Sequence, residues 1–300
     1  MDFLASAGLP RTCYAKAGSS WGGAPKPLNY RHAFHAGNFA DLVKHASLLQ
    51  LLSRLKRQGG TLRVIDTHAG RGLYDLQGPE AKKSGEAEAG IARLMAAADA
   101  PAAFDLLKEA VAALNGGGPL RRYPGSPVLI AGAIGPQDTY VACELRADEH
   151  AALRHALRSQ RNVMTVVGDG YEVAQTRTPS TGRVLVLIDP PFERADDYGR
   201  IVETAAVVRR TNPKAMLLVW LPLKDLATFD AFLTDLEDAI EGPALVLETR
   251  IRPLTDPMKM NGCALVLVGA PEGISEPLEA IARWTAETLG EAGEARVYGA

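Results

Sequence analysis

Val64-Ile65-Asp66-Thr67-His68-Ala69-Gly70-Arg71-Gly72 is the most informative stretch of the chain for its fold. A short β-branched run, Leu62–Asp66, ends in an acid, and a turn with two glycines follows it. In a parallel α/β sheet such a turn lies at the carboxyl end of a strand, where ligands bind, and glycine lets backbone approach the ligand closely. The stretch therefore predicts the first strand of a ligand-binding α/β domain.

Similar apolar runs recur along the chain, each with a polar or glycine residue at its end: Thr139–Glu144, Val163–Asp169, Val184–Asp189, Ala215–Leu221, Ala244–Arg250 and Cys263–Val268. Helical patterns lie between most of them, as at Asp148–Arg158, Tyr198–Arg210 and Leu226–Ile240. This alternation predicts a mostly parallel sheet with helices on both faces. The last two runs are joined by a loop alone, so we expect an antiparallel hairpin. A seven-stranded α/β sheet with such a hairpin resembles Rossmann-like methyltransferases.

The domain organisation follows from the segments between the runs. Residues 1–29 mix Gly, Ser, Ala and Pro without periodicity, which predicts a disordered extension before a domain at 30–300. Asn38 with Asp41 three residues later predicts the start of an amphipathic helix. About 70 residues separate Asp66 from Thr139, more than one crossover helix needs, so we expect a helical insertion at about 78–120.

The composition excludes several classes of protein. Thirty-three basic residues balance 35 acidic ones, 47% of residues are hydrophobic, and the three cysteines have no metal-ligand spacing. We expect a cytoplasmic, globular chain without a membrane span, a disulfide or a metal. The net charge of -2 hides a basic segment at Tyr30–Arg57 and an acidic one at Asp225–Glu241, so a nucleic-acid partner remains possible.

Acids at the ends of three successive predicted strands indicate a cofactor with a nucleoside. They are Asp66, Glu144 and Asp169, which Gly170 follows. A carboxylate at the second strand can accept both ribose hydroxyls, and the third can contact an adenine edge. The complete G-x-G-x-x-G motif of dinucleotide enzymes is absent, which favours S-adenosylmethionine, whose carboxylate could meet Lys44 or His45. His68 is as readily interpreted as a turn residue that hydrogen-bonds to backbone.

Asp189-Pro190-Pro191-Phe192, at the end of the fourth run, is the strongest chemical signal. Two prolines stiffen the turn and fix the Asp189 carboxylate and the Pro190 carbonyl as acceptors for an exocyclic amino group. These acceptors would favour the pyramidal, nucleophilic nitrogen of a methyl-transfer transition state, while Phe192 stacks on an unstacked base. The structural alternative is a strand-terminating Pro-Pro with a core Phe. This chemistry requires no metal.

Several motifs together resemble the RlmJ family of S-adenosylmethionine-dependent methyltransferases, which act on adenine N6 in 23S ribosomal RNA. The motifs are Tyr30-Arg31-His32-Ala33-Phe34-His35-Ala36-Gly37-Asn38, Lys44-His45, Asp66-Thr67-His68-Ala69-Gly70, Tyr123-Pro124-Gly125-Ser126-Pro127, Glu144-Leu145 and Asp189-Pro190-Pro191-Phe192. The chain departs from the family in its 29-residue prefix and in Phe192, where Tyr is commoner.

The resemblance implies a role for individual residues. Asp189 would be catalytic, and the cofactor would contact Lys44, His45, His68, Ser126, Glu144, Asp169 and Gly170. Tyr30, Arg31 and His32 would lie near the substrate entrance, beside Pro190 and Phe192. Ser126 before Pro127 also fits a helix N-cap whose free amides suit a carboxylate.

Three alternatives remain open: an amino-methyltransferase of rRNA guanine N2, one of DNA adenine, and a non-catalytic RNA-binding factor. The intact Asp-Pro-Pro motif argues against the last. We further expect eight basic residues to face RNA: Arg31, Arg54, Lys56, Arg57, Arg121, Arg122, Arg209 and Arg210.

Overall fold

The computed structural model describes residues 31–255 and 260–299. The predicted extension 1–29 and the substrate residue Tyr30 lie outside the described residues. The strands are Leu62–Asp66 (β1), Leu73–Asp75 (β2), Arg122–Pro124 (β3), Thr139–Glu144 (β4), Val163–Val167 (β5), Arg183–Ile188 (β6), Met216–Leu223 (β7), Ala244–Arg250 (β8), Gly262–Val268 (β9) and Glu294–Gly299 (β10). The α-helices are Phe39–Arg57 (α1), Pro79–Ser84 (α2), Arg93–Ala96 (α3), Asp105–Leu114 (α4), Ser126–Ala133 (α5), Ala147–Ala156 (α6), Gly170–Arg177 (α7), Asp197–Thr211 (α8), Leu226–Ala239 (α9) and Ser275–Leu289 (α10).

One eight-stranded sheet organises the domain, in the order β10-β8-β9-β7-β6-β1-β4-β5. The neighbouring strands β5, β4, β1, β6 and β7 run parallel, whereas β9 pairs antiparallel with both β7 and β8. The predicted fold class is thus confirmed, with all seven expected strands in place. The additional strand β10 pairs antiparallel with β8 at the sheet edge, where its polar, alternating sequence gave a weak signal.

Helices cover both faces of the sheet, and each face has its own hydrophobic cluster. One cluster takes side chains from α1, α4, α5, α6 and α10, and the other from α7, α8 and α9. Central strands bury both of their faces, as the unbroken apolar run of β6 requires.

Parallel register brings the acid-tipped strands to one edge. Asp66 at the end of β1 lies opposite Ala142 of β4 and Leu187 of β6. Glu144 and Asp189 therefore leave their strands beside Asp66, and this edge is where ligands bind in open α/β sheets.

Helix α1 begins at the predicted position and is buried along most of its length. The Asn38 side chain accepts a hydrogen bond from the Asp41 amide at 2.9 Å, which caps the helix. Three polar residues of the first two turns are buried as well: Asp41, Lys44 and His45. Buried charged groups need partners, and these partners lie at the edge of the sheet described above.

The long connection between β1 and β4 contains helices, as expected, together with the antiparallel ribbon of β2 and β3. A π-helical turn at Glu88–Ala92 lies against the loop before α1, where the Ile91 amide donates to the Gly37 carbonyl at 2.8 Å. A Cβ atom on Gly90 would lie 2.1 Å from that carbonyl oxygen, so only glycine permits this approach. The interpretation of 78–120 as one inserted unit stays a prediction.

No helix in residues 31–255 and 260–299 combines the length and apolar character of a membrane span. The same part of the chain contains no group of three or more His, Cys, Asp or Glu side chains that could hold a metal ion.

Candidate active site

A cleft of about 510 Å³ opens at the carboxyl edge of the sheet. Its lining includes every predicted site residue that the structure describes: Arg31, His32, Lys44, His45, His68, Ser126, Glu144, Asp169, Gly170, Asp189, Pro190 and Phe192. A volume of this size suits a cofactor together with part of a substrate. The functions assigned to these residues stay predictions, but the fold brings them together.

Lys44 connects two carboxylates in this cleft. Its Nζ donates to Asp189 Oδ2 at 2.6 Å and lies 3.1 Å from Asp41 Oδ1. Lys44 is 5% exposed, so the ion pairs are shielded from water. The ammonium group therefore fixes the start of α1 to the turn after β6.

Asp41, which in the sequence indicates only the start of a helix, is the centre of a polar cluster in the structure. Its Oδ2 accepts hydrogen bonds from His32 Nε2 at 3.0 Å and from the Gly37 amide at 2.9 Å. Burial by itself would raise the pKa of Asp41, but the nearby His32 and Lys44 hold that pKa well below its ordinary value. Asp41 is therefore ionised, and it orders both the first turn of α1 and the loop before it.

His45 lies one turn after Asp41 in α1, with its Nε2 3.9 Å from Asp41 Oδ1. Its Nδ1 lies 2.8 Å from the Tyr123 hydroxyl, within hydrogen-bond distance. Burial lowers the pKa of His45 to about 3, so the imidazole is neutral at physiological pH. A neutral ring can orient a polar ligand group but supplies no positive charge for a carboxylate, so Lys44 is the better candidate for that role.

Asp66 is fully buried beneath the cleft. Its Oδ2 accepts hydrogen bonds from Ser126 Oγ at 2.7 Å and from the Tyr140 hydroxyl at 3.2 Å. Burial raises the pKa of Asp66 to about 6. The predicted N-cap role of Ser126 is wrong: Gly125 is the cap, and Ser126 is the first residue of α5. Its hydroxyl is used to satisfy Asp66 instead, because a buried carboxylate without donors is costly.

Glu144 leaves β4 with its carboxylate held by two backbone amides. Gly70 N donates to Oε2 at 3.0 Å, and Arg146 N donates to Oε1 at 2.8 Å. Burial raises the pKa of Glu144 above its ordinary value. An ionised carboxylate has about four acceptor positions, so capacity remains for two hydroxyl donors of a ligand.

His68 lies in the turn after β1 and lines the cleft. Its Nδ1 is 2.7 Å from Thr67 Oγ1, and its ring meets the ring of Tyr171 edge-on with centroids 4.9 Å apart. Burial lowers the pKa of His68 to about 4. The ring therefore bonds to a neighbouring side chain, where the turn interpretation expected a backbone partner, and the cofactor role of His68 stays a prediction.

Asp169 caps α7 and pairs with Arg200, a residue that no sequence motif indicated. Its Oδ1 accepts from the Tyr171 amide at 3.0 Å, and its Oδ2 lies 2.9 Å from Arg200 Nη1. Burial opposes ionisation, but the Arg200 guanidinium lowers the pKa of Asp169 below its ordinary value. Arg200 also lies over the Tyr171 ring, with Cζ 4.4 Å from its centroid.

Gly170 permits a close contact between two elements. A Cβ atom there would lie 1.8 Å from the Thr67 carbonyl oxygen. Glycine is therefore required so that the start of α7 can pack directly on the turn after β1, which forms the floor of the cleft.

The Asp189-Pro190-Pro191-Phe192 turn crosses the cleft with a strained residue at its end. Phe192 has a φ of 53°, in the left-handed region that non-glycine residues rarely occupy. One side of its ring contacts Tyr198 and Trp220, with centroids 4.9 and 5.9 Å away. The ring is nonetheless half-buried and lines the cleft, which leaves a surface for a ligand.

Most of the basic residues that the sequence predicted to face RNA lie outside the cleft. Of the eight basic residues named above, only Arg31 lines the cleft. Lys56 pairs with Asp138 at 2.5 Å, and Arg209 donates to the carbonyls of Ala215 and Glu241. The charge of the segment Tyr30–Arg57 did not show where its basic residues lie, because α1 runs from the cleft to the opposite edge of the sheet and carries Arg54, Lys56 and Arg57 away from the cleft.

The sheet order, with an antiparallel strand inserted beside β7 and acid-tipped strands around one cleft, defines the protein as a Rossmann-like methyltransferase. The family model described as ribosomal RNA large subunit methyltransferase D, RlmJ, matches residues 60–298. The chain belongs to this family.

Individual relatives agree with this assignment. Ribosomal RNA large subunit methyltransferase J of Haemophilus influenzae is 32% identical over 264 residues, which cover 87% of this chain and 94% of the relative. The protein of the same name from Escherichia coli is 30% identical over 267 residues, covering 89% and 95%. The crystal structure of protein LPL1258 from Legionella pneumophila is 25% identical, with a TM-score of 0.80 over 88% of this chain and 98% of that one.

Proposed function

We propose that the protein transfers a methyl group from S-adenosylmethionine to the N6 amino group of an adenine in large-subunit ribosomal RNA. The observation that carries the proposal is the Asp189 carboxylate, held by Lys44 at the cleft and followed by two prolines. The printed names of both relatives, as ribosomal RNA large subunit methyltransferases, support the class of substrate.

The donor set of the cleft fits S-adenosylmethionine, which supplies an electrophilic methyl group when bound. Lys44 is the proposed hydrogen-bond donor to its carboxylate, shared with Asp189 and Asp41, and Glu144 has acceptor positions left for ribose hydroxyls. His68, His45, Ser126 and the Asp169-Gly170 pair surround these groups as the further cofactor residues of the proposal. Volume, charge and hydrogen-bonding capacity all agree with this cofactor.

Asp189 is the proposed catalytic residue. Lys44 uses one of its oxygens, so acceptor positions remain for a hydrogen of the target amino group. Together with the Pro190 carbonyl, the carboxylate would favour a pyramidal nitrogen with a localised lone pair, the form that attacks the methyl carbon. The new N–C bond would form as the bond between the methyl carbon and the cofactor's sulfur breaks, which releases a neutral thioether. The nitrogen would then lose a proton, which Asp189 can accept and pass to water.

Phe192, Arg31 and His32 are the proposed substrate residues, with Tyr30 before them in the chain. The Phe192 ring supplies a stacking face for a base taken out of its helix. Arg31 is exposed at the mouth, where a cation suits phosphate.

The test is methyl transfer in vitro. Purified protein and radiolabelled S-adenosylmethionine are incubated with protein-free 23S ribosomal RNA that lacks the modification, and the labelled nucleoside is identified after digestion. We expect N6-methyladenosine. Asp189→Asn should reduce the rate by at least about 1000-fold, since it removes a transition-state interaction. Asp196→Asn, an exposed acid of the same loop, should keep the wild-type rate.

Each other outcome has a definite meaning. Labelled N2-methylguanosine would make the enzyme a guanine N2 methyltransferase. In a parallel reaction with unmethylated DNA, labelling of DNA but not of rRNA would make it a DNA methyltransferase. Binding of rRNA without any transfer would leave a non-catalytic RNA-binding factor. Full activity of Asp189→Asn would refute the catalytic role of Asp189.

A further inference from the structure

A second depression, of about 310 Å³, lies at the opposite end of the strands from the cleft. Arg63 lines it from β1, three residues before Asp66, which corresponds to roughly 10 Å along the strand. Arg161 lines it from the loop before β5, and Arg177 from the last turn of α7. We call these three residues and the surface between them the arginine depression.

The floor of the depression lies at the edge of the sheet, where Val141 is buried and Met164 is exposed. Val141 and Met164 lie opposite each other in neighbouring strands, and both line it. Met164 is 49% exposed, an unusual fraction for a large apolar side chain in a strand, and β5 is the edge strand of the sheet. The floor therefore offers apolar surface beside the guanidinium groups.

The charge of the depression is uncompensated. Its lining contains no Asp or Glu, and within the described residues Arg161 and Arg177 form no ion pair. Arg63 makes two long hydrogen bonds, from Nε to Thr139 Oγ1 at 3.3 Å and from Nη1 to the Arg177 carbonyl at 3.4 Å. Each guanidinium carries five N–H donors in a planar fork, so most donors remain for a ligand.

We propose that the arginine depression binds the phosphodiester backbone of the ribosomal RNA substrate, at nucleotides away from the target base. Guanidinium groups match phosphate oxygens in pairs, and the exposed Met164 suits the apolar face of a ribose or base. This inference rests on the proposed function. It adds a site at the opposite end of the strands from the catalytic cleft, so that one RNA is held at two separate places.

The double variant Arg161→Glu/Arg177→Glu tests the inference on the full chain. With protein-free 23S rRNA, we expect KM to rise about tenfold or more while kcat at saturating RNA is unchanged. The slope of log K against log salt for RNA binding should become shallower by roughly 1.4, because two phosphate contacts are lost at ~0.7 each. Thermal unfolding of the variant should match that of the wild type, since both side chains are exposed.

Two further variants act as controls. Arg161→Lys/Arg177→Lys keeps the charge and should recover most of the wild-type KM. Arg283→Glu changes an exposed arginine of α10 that pairs with Glu279, and it should leave KM and the salt slope unchanged.

The outcomes separate this inference from the proposed function. If the wild type methylates RNA and Arg161→Glu/Arg177→Glu has the wild-type KM and salt slope, the arginine depression is not an RNA site, although the activity stands. If the wild type labels no RNA, the proposed function fails. In that case the same charge-reversal variant in a binding assay with 23S rRNA still decides whether the depression binds RNA.

Discussion

Lys44 and Asp189 are 145 residues apart in the sequence, yet Lys44 Nζ lies 2.6 Å from Asp189 Oδ2. This ion pair joins the second turn of α1 to the turn after β6, and a second carboxylate, Asp41, lies on the other side of the ammonium group. Lys44 thus positions the proposed catalytic carboxylate of Asp189, and Asp41 in turn positions Lys44.

Asp41→Asn should slow catalysis more than it weakens RNA binding. The asparagine keeps the shape of the side chain but removes the charge that orients Lys44 and His32, so Asp189 loses its fixed position. We expect kcat to fall about 10- to 100-fold, equivalent to ~1.4–2.7 kcal/mol, and the KM for RNA to rise by less than that factor, because His32 loses its partner while Arg31 and Phe192 are untouched. Steady-state kinetics measure both constants. Asp235→Asn, an exposed acid of α9, is the control, and an equal effect of the two substitutions would remove the positioning role of Asp41.

Gly170→Ala and Gly168→Ala form a matched pair. A Cβ atom on Gly170 would lie 1.8 Å from the Thr67 carbonyl oxygen, whereas one on Gly168 meets nothing within 4 Å. Gly170→Ala should lower the free energy of unfolding by about 2–3 kcal/mol, the usual cost of forcing atoms into a packed site. It should also weaken the binding of S-adenosylmethionine. Urea unfolding and calorimetric titration measure the two effects, and Gly168→Ala should stay close to wild type in both.

Phe192 can be tested for stacking and for strain at the same time. Phe192→Ala and Phe192→Gly both remove the ring, so each should lower kcat/KM for RNA about 10- to 100-fold. Only glycine relieves the positive φ of 53°, so Phe192→Gly should unfold at higher denaturant concentration than Phe192→Ala. Phe192→Tyr should keep activity within about threefold, because it keeps the ring. Wild-type kcat/KM in Phe192→Ala would show that the ring contacts only Tyr198 and Trp220.

The buried histidine of α1 should make the fold sensitive to acid. Burial lowers the pKa of His45 to about 3 in the folded state, against 6.5 for an ordinary histidine. Below pH 6.5 the unfolded chain therefore binds a proton that the folded chain does not, and stability is lost as the pH falls. From pH 7 to pH 5 this contribution amounts to about 2 kcal/mol. Above pH 7 it should vanish, since His45 is neutral in both states.

Urea unfolding of wild type and His45→Gln at pH 7, 6 and 5 measures this contribution. The difference in unfolding free energy between the two proteins should shift in favour of the variant as the pH falls. His155→Gln, at an exposed position of α6, should show no such shift. A parallel pH dependence of wild type and His45→Gln would mean that His45 takes up its proton equally in both states.

Much of the site could be predicted from the sequence because direction follows from topology. Where strands and helices alternate, as from β4 to β7, neighbouring strands run parallel, and these strands all end at the same edge of the sheet. Asp66, Glu144 and Asp189 could therefore be placed together from their positions at the ends of apolar runs alone.

The partners of those residues could not be predicted in the same way. Ser126 bonds to Asp66, and Arg200 to Asp169, across contacts that depend on how helices dock on the sheet. Asp41 was visible as a first-turn acid, which usually faces solvent. In the structure Asp41 is only 2% exposed, unlike most acids in the first turn of a helix. The residues next to it in the sequence do not reveal this burial, because it depends on how the helix packs.

The depth at which α1 is buried has a consequence for how the enzyme tolerates change. Asp41 and Lys44 belong to the same rigid rod as Leu48 and Leu52, which have no exposed surface. A shift of the hydrophobic end of that rod therefore moves the ammonium group at the other end by a comparable amount. Core substitutions along α1 that leave the protein folded would therefore change the Lys44–Asp189 distance. The catalytic rate would then depend on packing far from any ligand.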